Sequence, residues 1–330
     1  MPVCADLELD AGEFESVSAA LESIPDEAGI VTLKISSWNL KENDAVLILP
    51  AERGITEFLI LPADDITNVF LPGITRICAN GIPLTIGEGV WMENAGIYGG
   101  ACVSEGESRL DQTSVTLSGT VAFVFGGGFA ENGGFSIVLE PFVTVTESGS
   151  VLFEAFGGGH AYGPDSRVFS ESTHLQILGS ADYALGCGLA EEGGHSECQQ
   201  TSVTVSESGK VPVALFSGGS AVGSGSISDV ETANAVLEGS ANWAFSGDFV
   251  YGGGMTRING FSHLDILDSG AAEIAYMGSF SSDEGSEAFV NTSELMNCGT
   301  VGLINQNGQS SDHGTEKTQI PALFLCKKDD

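Results

Sequence analysis

Apolar and polar residues alternate along most of the chain with the two-residue period of a β-strand. Apolar-x-apolar triplets recur as Val115/Leu117, Val143/Val145, Leu175/Ile177, Val203/Val205, Ala235/Leu237 and Leu264/Ile266. This alternation puts one strand face in a core and the other toward solvent. Shortly after each triplet comes a glycine, in VTLSG, VTVTESG, LQILG, VTVSESG, AVLEG and LDILDSG, and LMNCG supplies a seventh. These are Gly119, Gly149, Gly179, Gly209, Gly239, Gly270 and Gly299, with successive spacings of 30, 30, 30, 30, 31 and 29 residues. A fixed period in this range marks units that stack and share one continuous core.

After each glycine a second short strand begins, as in Val121/Phe123/Phe125 and Val151/Phe153, and it runs into a glycine cluster such as VFGGGFAENGG, residues 124–134. Helical periodicity is absent from this region, which removes helical repeats, and the LxxLxL frame of leucine-rich repeats is not found. Two or three short strands per thirty residues, separated by Gly/Ser/Asn corners, predict a single-stranded parallel β-helix. Taking the residue before each cluster gives Tyr98, Phe125, Phe156, Leu185, Phe216, Tyr251 and Tyr276 as one inward site, stacked about 4.8 Å apart. Gly126, Gly127, Gly157, Gly158, Gly218, Gly252 and Gly253 then supply positive φ or close backbone approach beside that row. A phosphate-cradling loop occurs once and opens a helix, so the recurrence argues against a cofactor site.

Residues 1–88 read differently. GEFESVSAALESIPDEAG sets Phe14, Val17, Leu21 and Ile24 on one face of a short helix that Pro25 and Gly29 stop, and IVTLKI, AVLILP and EFLILPAD follow as strands. The helix is expected to cap the open end of irregular first coils. Regular coils occupy 89–300. In 301–330, LINQNGQSSDHGTEKTQ is polar and structureless by composition, and IPALFLC returns as a strand of a last coil or cap.

Charge narrows the partners. Against 45 acidic residues stand 11 basic ones, a net charge of -34, which repels nucleic acid, anionic lipid and polyanionic sugar. No apolar run has the length of a membrane span, so no membrane insertion is expected. MPVCADLELD has neither a basic nor an apolar leader segment. The acidic, Gly-rich, Lys-poor and Ser/Thr-rich composition leads us to expect an extracellular or cell-surface location. Cys4, Cys78, Cys102, Cys187, Cys198, Cys298 and Cys326 form no CxxC pair and no zinc spacing. They are read as small buried hydrophobes, with Cys298 and Cys326, 28 positions apart, as neighbours on adjacent coils.

The helix-then-strands lead-in and the tandem units "strand, SG, strand, aromatic-GGG, loop" resemble the pectin-lyase-like right-handed β-helix superfamily, and more narrowly the VYGGG-type surface proteins of gut bacteria. The resemblance covers residues from about 5 to 300 and implies right-handed winding. It is weak for activity, since that superfamily holds lyases, hydrolases, tailspikes and non-catalytic adhesins. Lyases of this kind use an Arg or Lys base in a basic cleft, whereas Arg53, Arg76, Arg109, Arg167 and Arg257 are isolated from other basic residues. Of the NTD, DD, GHG and RIK elements of the hydrolases, the coils show only the fragments GGGHA, residues 157–161, and TRIN, residues 256–259. If the protein is an enzyme, His160 and Arg257 are its catalytic candidates. His174 and His263 share a repeat position three coils, or about 14 Å, apart, too far to share a metal.

Stacking suggests one further site. Glu147, Glu207, Glu238 and Asp268 fall just before the repeating glycine, and the last three form a column of carboxylates that suits calcium. No other cofactor is expected. The chain therefore reads as an extracellular or surface-displayed, adhesin-like binding or structural β-helix. Its expected partner is a carbohydrate, a neutral glycan, or a host surface protein; a β-helical glycoside hydrolase or lyase is the alternative.

Overall fold

The computed structural model describes residues 6–35, 45–64, 66–311 and 313–326. The chain is an all-parallel β-solenoid of about 10 coils with turns of roughly 29 residues. Among the described residues, a 12-stranded sheet carries the longest strands, from Leu7–Asp10 through Phe135–Val145 to Thr315–Leu325. An 11-stranded second sheet runs from Val46–Ile48 to Thr300–Asn305, and an 8-stranded third sheet of short strands runs from Cys102–Val103 to Gln309–Ser311. The periodic glycines lie along one edge, because the residues after them stand in register: Thr120, Ser150, Ser180, Lys210, Ser240, Ala271 and Thr300 pair in succession. Stacking leaves no room there for a side chain. A Cβ on Gly179 would lie 2.2 Å from the carbonyl oxygen of Gly149.

The cross-section of a coil is pinched. Val143 and Val145 of the long strand meet Val121 and Val124 of the second sheet in the main core. At the glycine corner the backbone then presses against the middle of the long strands, where Thr113 and Thr173 hydroxyls donate to the carbonyls of Gly126 and Gly186, each at 2.6 Å. A Cβ on Gly126 would sit 2.4 Å from the Gly157 carbonyl oxygen, and one on Gly157 would sit 2.3 Å from that of Gly186. Close approach is therefore what these corners require, while Gly252 and Gly253 belong to the opposite turn and adopt φ of 66° and 87°. Beyond the pinch, the other half of each long strand and the third sheet enclose smaller clusters, one built from Cys187, Cys198, Val230, Ala233, Ile258 and Val290.

The aromatic row exists, with two corrections. Its member between Phe216 and Tyr276 is Phe245, not Tyr251, because register pairs Phe216 with Phe245 and Phe245 with Tyr276. Tyr251 ends a third-sheet strand and is exposed. The row also does not face the main core. Strand alternation gives Val124 to that core and turns the adjacent Phe125 to the opposite face, in the concave angle between the second and third sheets. There Tyr98, Phe125 and Phe156 stack with centroids 4.7 Å apart, and Phe216, Phe245 and Tyr276 stack at 4.6 and 4.3 Å.

The ends follow their sequence signals unequally. Ser16 caps the helix Val17–Glu22, its Oγ accepting from the Ala19 N–H at 3.0 Å. Val17, Leu21 and Ile24 are buried against the first strands, and Phe14 packs beside them. The polar stretch 303–319 is not structureless: strands Gln309–Ser311 and Thr315–Leu325 complete a coil in register with the one before. Backbone pairing to the preceding coil orders it where side-chain pattern does not. The cysteines are corrected as well. Disulfides join Cys78 to Cys102, Cys187 to Cys198, and Cys298 to Cys326, the last pair being the neighbours expected from their spacing. Cys4 lies outside the described residues.

Candidate functional site

The concave angle forms a trough along the solenoid. On one wall, second-sheet register lines up Phe123, Glu154, Tyr183, Ala214, Trp243 and Ile274. On the other, third-sheet register lines up Phe129, His160, Leu189, Ser220, Phe249 and Phe280. Most of these side chains pack against the stacked aromatic row, so the trough is apolar and ring-rich. Glu154 and His160 break the pattern of their rows. A bulge between Val151 and Glu154 inserts one extra residue, exposing Phe153 beside Phe123, with centroids 5.3 Å apart.

At this break lies a cavity of about 500 Å³. Arg76, Tyr98, Phe123, Phe129, Glu131, Glu154, His160, Tyr162 and Glu191 are among its lining residues. A hydrogen-bonded chain crosses its floor: Tyr98 Oη lies 3.2 Å from His160 Nδ1, and His160 Nε2 lies 3.1 Å from Glu191 Oε2. A carboxylate only accepts, so neutral His160 donates from Nε2 to Glu191 and accepts from the Tyr98 hydroxyl at Nδ1. Burial holds His160 below its ordinary pKa against the opposing pull of Glu191. Glu191 is held below the usual carboxylate range by its bond to His160, against the effect of burial. Burial raises the Tyr98 hydroxyl. Burial, and the Glu191 charge after it, push Glu154 up to about 7. Arg76 lies over the Phe129 ring, Cζ 3.7 Å from its centroid, and 3.8 Å from Glu131.

His160 is thus in the trough, and Arg257 is not with it. Arg257 holds Asp229 through Nε at 2.8 Å and Nη2 at 3.1 Å on the long-strand sheet, and His195 reaches the same carboxylate at 3.1 Å. Burial raises Asp229, but the His195 bond and the Arg257 charge outweigh it and leave that carboxyl below its ordinary value. The two candidate catalytic residues therefore form no common site. Along the glycine edge, Glu207 and Asp268 are exposed and Glu238 is half-buried. Among the described residues, no group of three or more His, Cys, Asp or Glu side chains is arranged to hold a metal ion. His174 and His263 are three coils apart in register, as their spacing implies.

Sequence reasoning passed over Glu154, Glu191, Arg76 and the role of Tyr98. The signal available was substitution within a repeat row, an acid where other coils place Phe123, Tyr183, Ala214, Trp243 or Ile274. That signal depends on a register that the bulge conceals. Comparison with known proteins returns no matching family model, no matching curated protein and no matching solved structure. Among the described residues, no helix is long and apolar enough to cross a membrane.

Proposed function

We propose that the protein is an extracellular or surface-displayed β-helix, right-handed and of the pectin-lyase-like kind, that binds a glycan along its trough. The observation that carries this reading is the pair of register-aligned walls, with Phe123, Tyr183 and Trp243 on one and Tyr162 on the other, and the bulged Phe153 exposed beside Phe123. Sugar rings present apolar C–H faces that pack on aromatic rings, and a preformed trough orders a chain at low entropic cost. The net charge of -34 disfavours acidic polysaccharides. Three disulfides accord with an oxidising compartment outside the cytosol. The test is calorimetry against neutral oligosaccharides with the wild type and the exposed-ring variants Phe153→Ala and Tyr162→Ala. Each variant should lose about tenfold in affinity, or roughly 1.4 kcal/mol, with unchanged melting temperature. Binding to a host protein in the absence of any glycan binding would refute the reading.

A second reading, cleavage of the bound glycan, is favoured by one observation. Two carboxyls of a single cavity, Glu154 and Glu191, are driven apart in pKa, the arrangement an acid and a base or nucleophile need. Release of reducing ends from a bound polysaccharide, abolished in Glu191→Gln and His160→Ala, would support it; binding without turnover would leave the protein a lectin-like rod.

A further inference from the structure

The cavity at the head of the trough is unbalanced in charge. Of its three carboxylates, Glu131 faces Arg76 at 3.8 Å and Glu191 accepts from His160 at 3.1 Å. Among the described residues, no basic group and no hydrogen-bond donor reaches Glu154. Its titratable surroundings are Glu191 from the third sheet, Tyr183 from the next coil of its own sheet, and the other groups lining the cavity, Glu131, Arg76, His160, Tyr98 and Tyr162. Burial disfavours the charged form of His160, and Arg76, the permanently charged base among these groups, already faces Glu131. The walls around Glu154 are aromatic. The same cavity already shows how it treats a cation: the Arg76 guanidinium lies over the Phe129 ring with a carboxylate beside it.

We propose that this cavity selects a cationic sugar residue, a glycan unit bearing a free primary amine, which Glu154 and Glu191 neutralise and the aromatic walls flank. This rests on the reading of the trough as a glycan site and adds the chemical class of the residue at its head. A neutral ligand leaves Glu154 in an apolar wall with a like charge nearby, which is why its carboxyl titrates at about 7. An ammonium group supplies the missing counter-charge and favours the ionised form. At mildly acidic pH, binding therefore drives a proton from Glu154 into solution, and the complex holds a charge-assisted contact in a partly desolvated site. The row itself favours this assignment, because Glu154 is the one acid in a line otherwise made of Phe123, Tyr183, Ala214, Trp243 and Ile274. A sugar amine also satisfies both features at once, a ring for the platforms and a cation for the carboxylate, whereas a lysine side chain uses only the second.

The test is calorimetric titration of the full chain with a glucosamine oligosaccharide and with its N-acetylated counterpart of equal length. At pH 6 the amine form should bind at least about tenfold tighter, a preference that declines in 0.5 M salt. Titrations in two buffers of different ionisation heat should reveal proton release that approaches one per ligand at pH 6 and gives way to proton uptake by pH 8.5, where Glu154 is already ionised and the free sugar amine has itself lost its proton. In Glu154→Gln the affinity ratio should fall to about one and the proton release should disappear. Because this substitution removes a charge that burial opposes, its melting temperature should not drop, which separates lost recognition from lost fold. Equal binding of both oligosaccharides by the wild type, or a preference that survives Glu154→Gln, would overturn the proposal while leaving the trough reading intact. Binding of neither oligosaccharide would overturn both, and capture of a lysine-rich peptide in their place would move the site to a protein partner.

Discussion

At the scale of single residues, Asp248 is a carboxyl fully buried in the solenoid. It stands in the corner position that Gly219 occupies in the preceding coil and Ser279 in the next, as the pairing of Ser220, Phe249 and Phe280 requires. Its Oδ1 accepts from the Gly219 N–H at 2.7 Å, while Oδ2 is buried without a partner. The carboxyl tucks against Gly218, whose missing Cβ would lie 1.9 Å from Oδ1, so a glycine in one coil makes room for an acid in the next. Burial pushes Asp248 up to about 8 from an ordinary 3.8. The unfolded chain ionises this group near pH 4 and the native chain only near pH 8, so the protonated acid's contribution is present in full below about pH 4. It is lost as pH rises through 8, on the order of 5 kcal/mol in total. Asp248→Asn keeps an acceptor for Gly219 and cannot ionise. Chemical denaturation from pH 4.5 to 8.5 should therefore show a loss of stability in the wild type that is several kcal/mol smaller in the variant, where the raised carboxyl of Glu154 still contributes its own part. Parallel curves for the two proteins would mean that Asp248 is ionised and satisfied in the native state.

At the scale of elements, the coil is set by where its chain can approach itself. Gly157→Ala forces a Cβ to within 2.3 Å of a backbone oxygen in the next coil, whereas Gly133→Ala meets nothing within 4 Å and strains only a φ of +83°. The first should cost about 3 kcal/mol or more and the second about 1, read from urea midpoints. If the two were equal, corner packing would not be what fixes these glycines. The same contrast explains what was legible in the sequence. Strand alternation and the periodic glycines Gly119 to Gly299 carry the winding, because every coil repeats the same steric demand. The helix at Val17–Glu22 is legible from its apolar face and its serine cap. The face on which Phe125 lies is not, since Val124 and Phe125 are both apolar and both buried, and only tertiary packing decides which one enters the main core. Tyr251 reads as a member of the row because its glycines imitate those of the corner while serving a left-handed turn. His160 could be singled out from GGGHA, but its partners Tyr98 and Glu191 lie on other coils at distant chain positions and carry no local motif.

For the molecule as a whole, 34 uncompensated negative charges lie on a rod whose coils stack like side chains over like. Parallel register turns every acidic position into a potential column, and adjacent carboxylates in such a column repel through water. The chain offsets a few of these encounters with cations from neighbouring coils: Arg257 meets Asp229, and Arg167 meets Glu197 at 3.6 Å. Eleven basic residues cannot answer 45 acidic ones, so the remaining repulsion is carried by solvent and counter-ions. Screening should thus stabilise the fold, and raising sodium chloride from 10 mM to 300 mM should lift the melting temperature by a few degrees, the Debye length shrinking from about 30 Å to under 10 Å. Calcium chloride, magnesium chloride and sodium chloride at matched ionic strength decide whether the edge bearing Glu207, Glu238 and Asp268 does more than share in that screening. With Glu207 and Asp268 exposed and no three-ligand group formed among the described residues, the three salts should act alike within the stronger general effect of divalent ions. A rise specific to calcium, reversed by a chelator and absent in Glu238→Gln, would instead assign that edge a bound ion and make the column a structural element of the rod.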